Sequence, residues 1–173
     1  GKYTIGLDFG TLSVRALLLD VETGEECCCT ESSYAHGVME TSLPDGTELG
    51  FEWALQHPQD YIESMVDAVC RLMRESGIQP QQVLAVGVDF TSCTVLPTLA
   101  DGTPLCCVES YAHQPHAYVK LWKHHAAQYC ADRLNEDAER TGQKFLARYG
   151  GKISCEWLVP KAMQIAQETP EGF

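Results

Sequence analysis

Apolar and polar positions divide the chain into short, separable segments. Tyr3 to Asp8 (YTIGLD) is rich in β-branched and apolar residues and predicts a strand. Phe9-Gly10-Thr11 follows as a turn, Ser13 to Asp20 (SVRALLLD) predicts a second strand, and Val21 to Gly24 (VETG) predicts the turn out of it. Glu25 to Ala35 predicts a third strand, so the first three form an antiparallel meander. Residues 36–50, with Gly37, Pro44, Gly46 and Gly50, predict a loop. The clearest helix spans Pro58 to Ser76, where Tyr61, Met65, Ala68, Val69 and Leu72 make one apolar stripe between a His57-Pro58 start and a Gly77 stop. Val83 to Phe90 (VLAVGVDF) is a continuous apolar run, the pattern of a buried central strand. Thr94 to Leu99 predicts another strand, with Pro97 suited to an edge or a bulge. From Pro115 to about Thr141, Val119, Trp122, Ala126, Tyr129, Cys130 and Leu134 recur at helical spacing, and Gly142 ends the run. Phe145 to Tyr149 predicts one short helical turn. Cys155 to Gln167 predicts a last helix, with Pro160 as a kink or near its first turn. The order β-β-β-α-β-β-α-α predicts a mixed α/β fold whose sheet is not purely parallel.

The length of 173 residues allows one domain, or one and a fraction. A composition of 45% hydrophobic and 21% charged residues is that of a globular chain and excludes disorder, collagen and coiled coil. No apolar run approaches the ~20 residues a bilayer crossing requires. The start goes directly into a strand pattern with no visible signal peptide, so a cytoplasmic protein is expected. The net charge is −12, and the whole imbalance falls in residues 1–110. That sign opposes nonspecific binding to nucleic acid or to an anionic membrane. The nine cysteines include no C-x-x-C spacing, and their odd number argues against a disulfide framework. Reduced thiols acting as small hydrophobes are expected. His113 and His116 are three apart but straddle the helix start expected at Pro115, and His124 and His125 are adjacent, so neither pair is expected to hold a metal on one helix face.

The chemistry concentrates in the first hairpin. An apolar strand ends in the carboxylate of Asp8, Gly10 permits close backbone approach, and Thr11 and Ser13 place hydroxyls in or beside the turn, with Arg15 following. Amides of such a turn form an anion-binding concavity, hydroxyls add donors, and the carboxylate can hold Mg²⁺ directly or through water. Neither G-x-x-x-x-G-K-[ST] nor G-x-G-x-x-G is present, so P-loop and dinucleotide-binding readings fail.

The string IGLDFGTLSVR resembles the opening of the FGGY family of carbohydrate kinases, within the actin-like, ribonuclease-H-like ATPases. GVDFTSCTVLP at 87–97, DGTPL at 101–105, HAYVKLWKHHAAQYCADRLNE at 116–136 and GGKISCEWLVPK at 150–161 resemble later segments of that family in the same order. The resemblance implies an actin-like α/β fold with a mixed sheet and helices, ATP and Mg²⁺ as cofactors, and a small-molecule sugar as substrate. It implies that Asp8 lies near Mg²⁺, that Gly10, Thr11 and Ser13 cradle the β- and γ-phosphates, and that Arg15 reaches the phosphates or braces the hairpin. Leu12 stands where many relatives carry a polar residue. Sugar contacts are implied for Ser92 and Cys93, with Asp89 and Thr91 as supports, and for Trp122 and Lys152. Family members have two actin-like domains and a catalytic aspartate well beyond position 173. Residues 1–173 are therefore expected to be the N-terminal part of the kinase N-terminal domain, without the C-terminal domain and inactive alone. A homo-oligomer is compatible with this. Two alternatives stand beside it: a family member acting on D-ribulose, xylulose or a polyol, and a non-catalytic actin-like nucleotide-binding module.

Overall fold

The structure is a computed structural model and describes residues 1–169. Strands β1 (Tyr3–Phe9), β2 (Ser13–Asp20) and β3 (Glu26–Ser33) form the expected antiparallel meander. A two-residue strand β4 (Leu55–Gln56) and helix α1 (Pro58–Ser76) follow, then strand β5 (Val83–Phe90), which pairs parallel with β1. The sheet order is β3-β2-β1-β5, so the sheet is mixed. Beyond it come a short strand β6 (Val119–Lys120), helix α2 (Gln128–Arg140), a 3₁₀ turn at Phe145–Tyr149 and helix α3 (Leu158–Glu168). The chain divides into two compact units, one of Gly1–Val38 with His57–Thr91, the other of Met39–Gln56 with Ser92 onward. None of the helices is long and apolar enough to cross a membrane, among the described residues.

In the first unit, α1 begins where the sequence predicts. The imidazole of His57 accepts the N–H of Gln59 at 3.2 Å, Pro58 fills the first helical position, and Gly77 closes the helix in the left-handed region at φ 69°. Ala68 and Leu72 of α1 pack on Ile5 and Leu7 of β1 and on Ala16 and Leu18 of β2. The same helix face turns polar toward its N-terminus. Ser64 donates to the Ser33 carbonyl at 3.1 Å, and Asp60, only 2% exposed, accepts from the His36 N–H and ring at 2.9 and 2.8 Å.

The expectation that Val83–Phe90 is a buried central strand is corrected. β5 lies at the sheet edge, and Leu84, Val86, Val88 and Phe90 are 58, 57, 57 and 69% exposed. Val86, Val88 and Phe90 sit in register with Ile5, Leu7 and Phe9. They therefore share the face that α1 covers over β1 and β2, but no helix among the described residues extends over them. Apolar composition reports that a strand is built to be covered on that face; it does not report what covers it.

In the second unit, Met39, Leu43, Leu55, Leu105, Cys106, Ala117 and Tyr118 make one core, and Ala138, Leu146 and Ile153 make another. Two further expectations fail here. Thr94–Leu99 forms no strand: Val95 bridges Lys120, Thr98 bridges Pro104, and Pro97 has no N–H to extend a ladder. The helix expected from Pro115 to Thr141 exists only as α2. Pro115–Ala117 is a 3₁₀ turn, after which Tyr118 is extended and Val119–Lys120 pairs with β4. Tyr118, Val119, Lys120 and Leu121 are all buried. A run with no exposed side exerts no helical period, and backbone pairing with distant segments settles its conformation. Pro160 falls in the first turn of α3, where its missing N–H is harmless. All nine cysteines are free thiols.

Candidate functional site

The turn between β1 and β2 closes on a bond from the Gly10 N–H to the Ser13 carbonyl at 2.9 Å. A Cβ at Gly10 would sit 3.3 Å from that carbonyl oxygen, so glycine lets the hairpin turn this tightly. Tyr34 braces the turn from behind. Its N–H donates to the Leu12 carbonyl at 2.9 Å and its hydroxyl to the Gly10 carbonyl at 3.0 Å. Burial, aided by Asp8 and Asp60, pushes the Tyr34 phenol up to about 12, so it is a permanent donor.

Strand register builds a charged row on the open face of the sheet. Asp89 of β5, Asp8 of β1, Arg15 of β2 and Glu31 of β3 are successive partners across four strands. All four are exposed, with Ser13 beside them donating to Glu31 Oε1 at 2.5 Å. Alternation explains the placement: Leu7, Val14 and Ala16, their neighbours along the strands, point into the core. Asp8 and Asp89 place two carboxylates at one level on adjacent parallel strands. That is a hard-oxygen donor set suited to a divalent cation such as Mg²⁺. Asp8, Gly10, Thr11, Ser13 and Arg15, the residues expected to grip phosphate, thus fall on one hairpin. Asp89, expected only as a support, is the register partner of Asp8 on β5.

The residues expected at a sugar lie in the second unit. Ser92 is exposed and Cys93 half-buried, and Cys93 adopts φ 61°. That left-handed conformation costs a non-glycine residue about 1–2 kcal/mol. Trp122 is 38% exposed and follows the buried Leu121. These two segments are joined by one side chain. Lys161 Nζ donates to the Cys93 carbonyl at 2.6 Å and to the Leu121 carbonyl at 2.8 Å. Lys152 is exposed and belongs to a different anchor, since Ile153, its neighbour, exchanges bonds of 2.7 and 2.9 Å with the Asn135 amide of α2.

Behind Leu121 lies a buried polar cluster that sequence reasoning missed. His124 Nδ1 accepts the Ala54 N–H at 3.2 Å, and its Nε2 meets Gln164 Oε1 at 2.8 Å. His116 meets Glu168 at 2.8 Å. Lys120 Nζ reaches the His116 carbonyl at 3.5 Å and lies 5.3 Å from the centre of the Trp53 ring. Burial pushes the Lys120 and Lys161 amines down to about 7 and about 8. The available signal was the pair of lysines set between apolar neighbours, Val119-Lys120-Leu121 and Pro160-Lys161-Ala162.

No protein-family model matches the chain. Among curated proteins it is similar to a ribulokinase of Halalkalibacterium halodurans, at 50% identity over 99% of this chain and 31% of that protein. It is also similar to a ribulokinase of Bacillus licheniformis, at 53% identity over 94% of this chain and 30% of that protein. The chain thus spans about 30% of the length of the curated relatives it matches. Among solved structures, a xylulose kinase from Brucella ovis superposes with a TM-score of 0.73 at 20% identity, over 98% of this chain and 30% of that one. The chain is similar to ribulokinases over nearly its whole length and has the actin-like α/β fold of the sugar kinase it superposes on.

Proposed function

We propose that this homology to ribulokinases carries a shared activity: the polypeptide containing these residues transfers the γ-phosphate of ATP to L-ribulose, giving L-ribulose 5-phosphate. The observation behind the reading is the 50% identity to a ribulokinase over 99% of this chain. It is a phosphotransferase acting on an alcohol group, working in the cytoplasm of a cell that uses arabinose.

In this reading the chain supplies position and charge, which are most of what phosphoryl transfer asks of a protein. Asp8 would hold Mg²⁺, directly or through water, with Asp89 beside it as a second oxygen donor. Mg²⁺, when bound, neutralises charge on the phosphate oxygens. The amides of the Gly10 turn and the hydroxyls of Thr11 and Ser13 take the β- and γ-phosphates. Ser13 must first release Glu31, to which its hydroxyl donates. Arg15 stands across from Asp8 and lends positive charge to a chain of net −12. Ser92, Cys93, Trp122 and Lys152 orient the sugar. The aspartate that takes the proton from the sugar hydroxyl belongs to a part of the polypeptide outside residues 1–173.

The test is ADP release by the complete polypeptide with ATP, Mg²⁺ and a panel of L-ribulose, D-ribulose, xylulose and polyols. L-Ribulose is expected to give the highest kcat/KM. A higher value for any other sugar overturns the substrate assignment, and no turnover of any overturns the kinase reading. Residues 1–173 alone are expected to show no turnover.

A further inference from the structure

Lys161 is fully buried, and its two close partners are main-chain carbonyls. A buried amine is costly unless its N–H groups are satisfied, and here one amine satisfies acceptors on two segments 28 residues apart in sequence, at Cys93 and Leu121. The first acceptor belongs to a residue held in a left-handed conformation at φ 61°. Such a residue persists only where its surroundings over-determine it. The surroundings are specific. Two residues on, the Val95 N–H and carbonyl exchange bonds of 3.0 and 2.8 Å with Lys120. The second acceptor, Leu121, also donates its N–H to the Ala54 carbonyl at 3.0 Å. Lys161 itself projects from the first turn of α3, next to the buried Pro160, so its base is rigid.

We propose that Lys161 is a positioning residue for the sugar: its amine, by clamping the Cys93 and Leu121 carbonyls, sets the direction of the Cys93–Thr94 and Leu121–Trp122 peptides and so the placement of the Cys93 turn and of Trp122. The proposal rests on the assignment of Ser92, Cys93 and Trp122 to sugar binding. Lys161 touches no sugar itself. A methionine at this position fills much of the same volume but leaves two buried carbonyls unpaired and the Cys93 turn unpinned. Misplacement of contact groups by about 1 Å costs binding and orientation heavily.

The test compares Lys161→Met, Lys161→Arg and Gln164→Met in the complete polypeptide. Gln164→Met removes the His124 bond from the same helix without touching either clamped carbonyl, and so controls for loss of stability. Lys161→Met is expected to raise the KM for L-ribulose about tenfold or more, with the KM for ATP nearly unchanged. Lys161→Arg is expected to restore part of the loss, and Gln164→Met to leave the sugar KM within about twofold. Hydrogen exchange of peptides covering 93–96 and 119–122 supplies a readout independent of turnover. Protection there is expected to fall in Lys161→Met and to persist in Gln164→Met. If Lys161→Met does not fold, Lys161→Arg carries the test, through a raised sugar KM with an unchanged ATP KM. Equal sugar and ATP effects, or a sugar KM within twofold of the parent, overturn the positioning role. Unchanged exchange overturns the clamp itself. Absence of any sugar turnover by the parent overturns the assignment beneath the proposal, while exchange still reports on the clamp.

Discussion

Protonation of His124 is expected to destabilise the second unit, by an amount the structure lets one work out. The imidazole is fully buried, with Nδ1 accepting the Ala54 N–H and Nε2 donating to Gln164. Trp53 packs edge-on against it at 4.9 Å. The neutral Nε2–H tautomer satisfies both polar partners. A second proton would turn Nδ1 from an acceptor into a donor facing the Ala54 donor. Burial is the main cause that holds the group down from its ordinary 6.5 to about 4. The folded pKa therefore lies below the unfolded one. The contribution to stability is complete above pH 6.5, falls as the unfolded chain takes up the proton, and levels off below about pH 4. At about 1.4 kcal/mol per unit, the loss is about 2 kcal/mol at pH 5 and about 3 kcal/mol by pH 4. Carboxylates and other histidines also titrate in this range, so the quantity to measure is a difference. Urea unfolding of the parent and of His124→Asn at pH 7, 6 and 5 provides it, since asparagine offers an acceptor and a donor but no titration. The parent is expected to be the more stable at pH 7, with its advantage shrinking by about 2 kcal/mol at pH 5. Parallel stability curves for the two proteins would refute the reasoning.

Other outcomes follow from the same geometry. Leu72→Ala opens the interface of α1 with β1 and β2 and is expected to cost about 2–5 kcal/mol in chemical denaturation. Gly77→Ala places a Cβ at φ 69° in open space, so only backbone strain is incurred, and a loss of about 1 kcal/mol is expected; a loss above about 3 kcal/mol would contradict it. Asp8→Asn in the complete polypeptide is expected to lower kcat about 10²–10³-fold with thermal stability nearly unchanged, because Asp8 is exposed. Residues 1–173 alone are expected to self-associate and to bind an apolar dye through Val86, Val88 and Phe90. Val88→Glu should reduce both signals, and a monodisperse, dye-silent parent would count against that reading of β5.

Much of the β1–β2 hairpin was legible in the sequence because every part of it is local. Strand, turn and strand lie within residues 3–20, glycine closes the turn, and alternation alone decides that Val14 and Ala16 face inward while Asp8 and Arg15 face out. Helix α1 was legible for the same reason, since its stripe, its Pro58 start and its Gly77 stop all lie within one segment. Ser92, Cys93, Trp122 and Lys152 stood out only through the resemblance. Lys161 reaches back 68 residues to the Cys93 carbonyl, and nothing local to either position announces the bond.

Sequence by itself determined where short-range periodicity and turn chemistry act: the meander, α1, the tight Gly10 turn, and the family resemblance those residues carry. Tertiary structure alone decided the rest. It placed Asp89 beside Asp8 and Arg15 beside Glu31 through strand register. It turned Val119–Lys120 from a helical pattern into a strand by offering it backbone partners in Leu55–Gln56 and Val95. It left β5 at an edge, although its composition suits a covered strand. In each case the deciding energy is a hydrogen bond or a buried contact between residues far apart in the chain. Local propensity, worth tenths of a kcal/mol to about 1 kcal/mol per residue, yields to it.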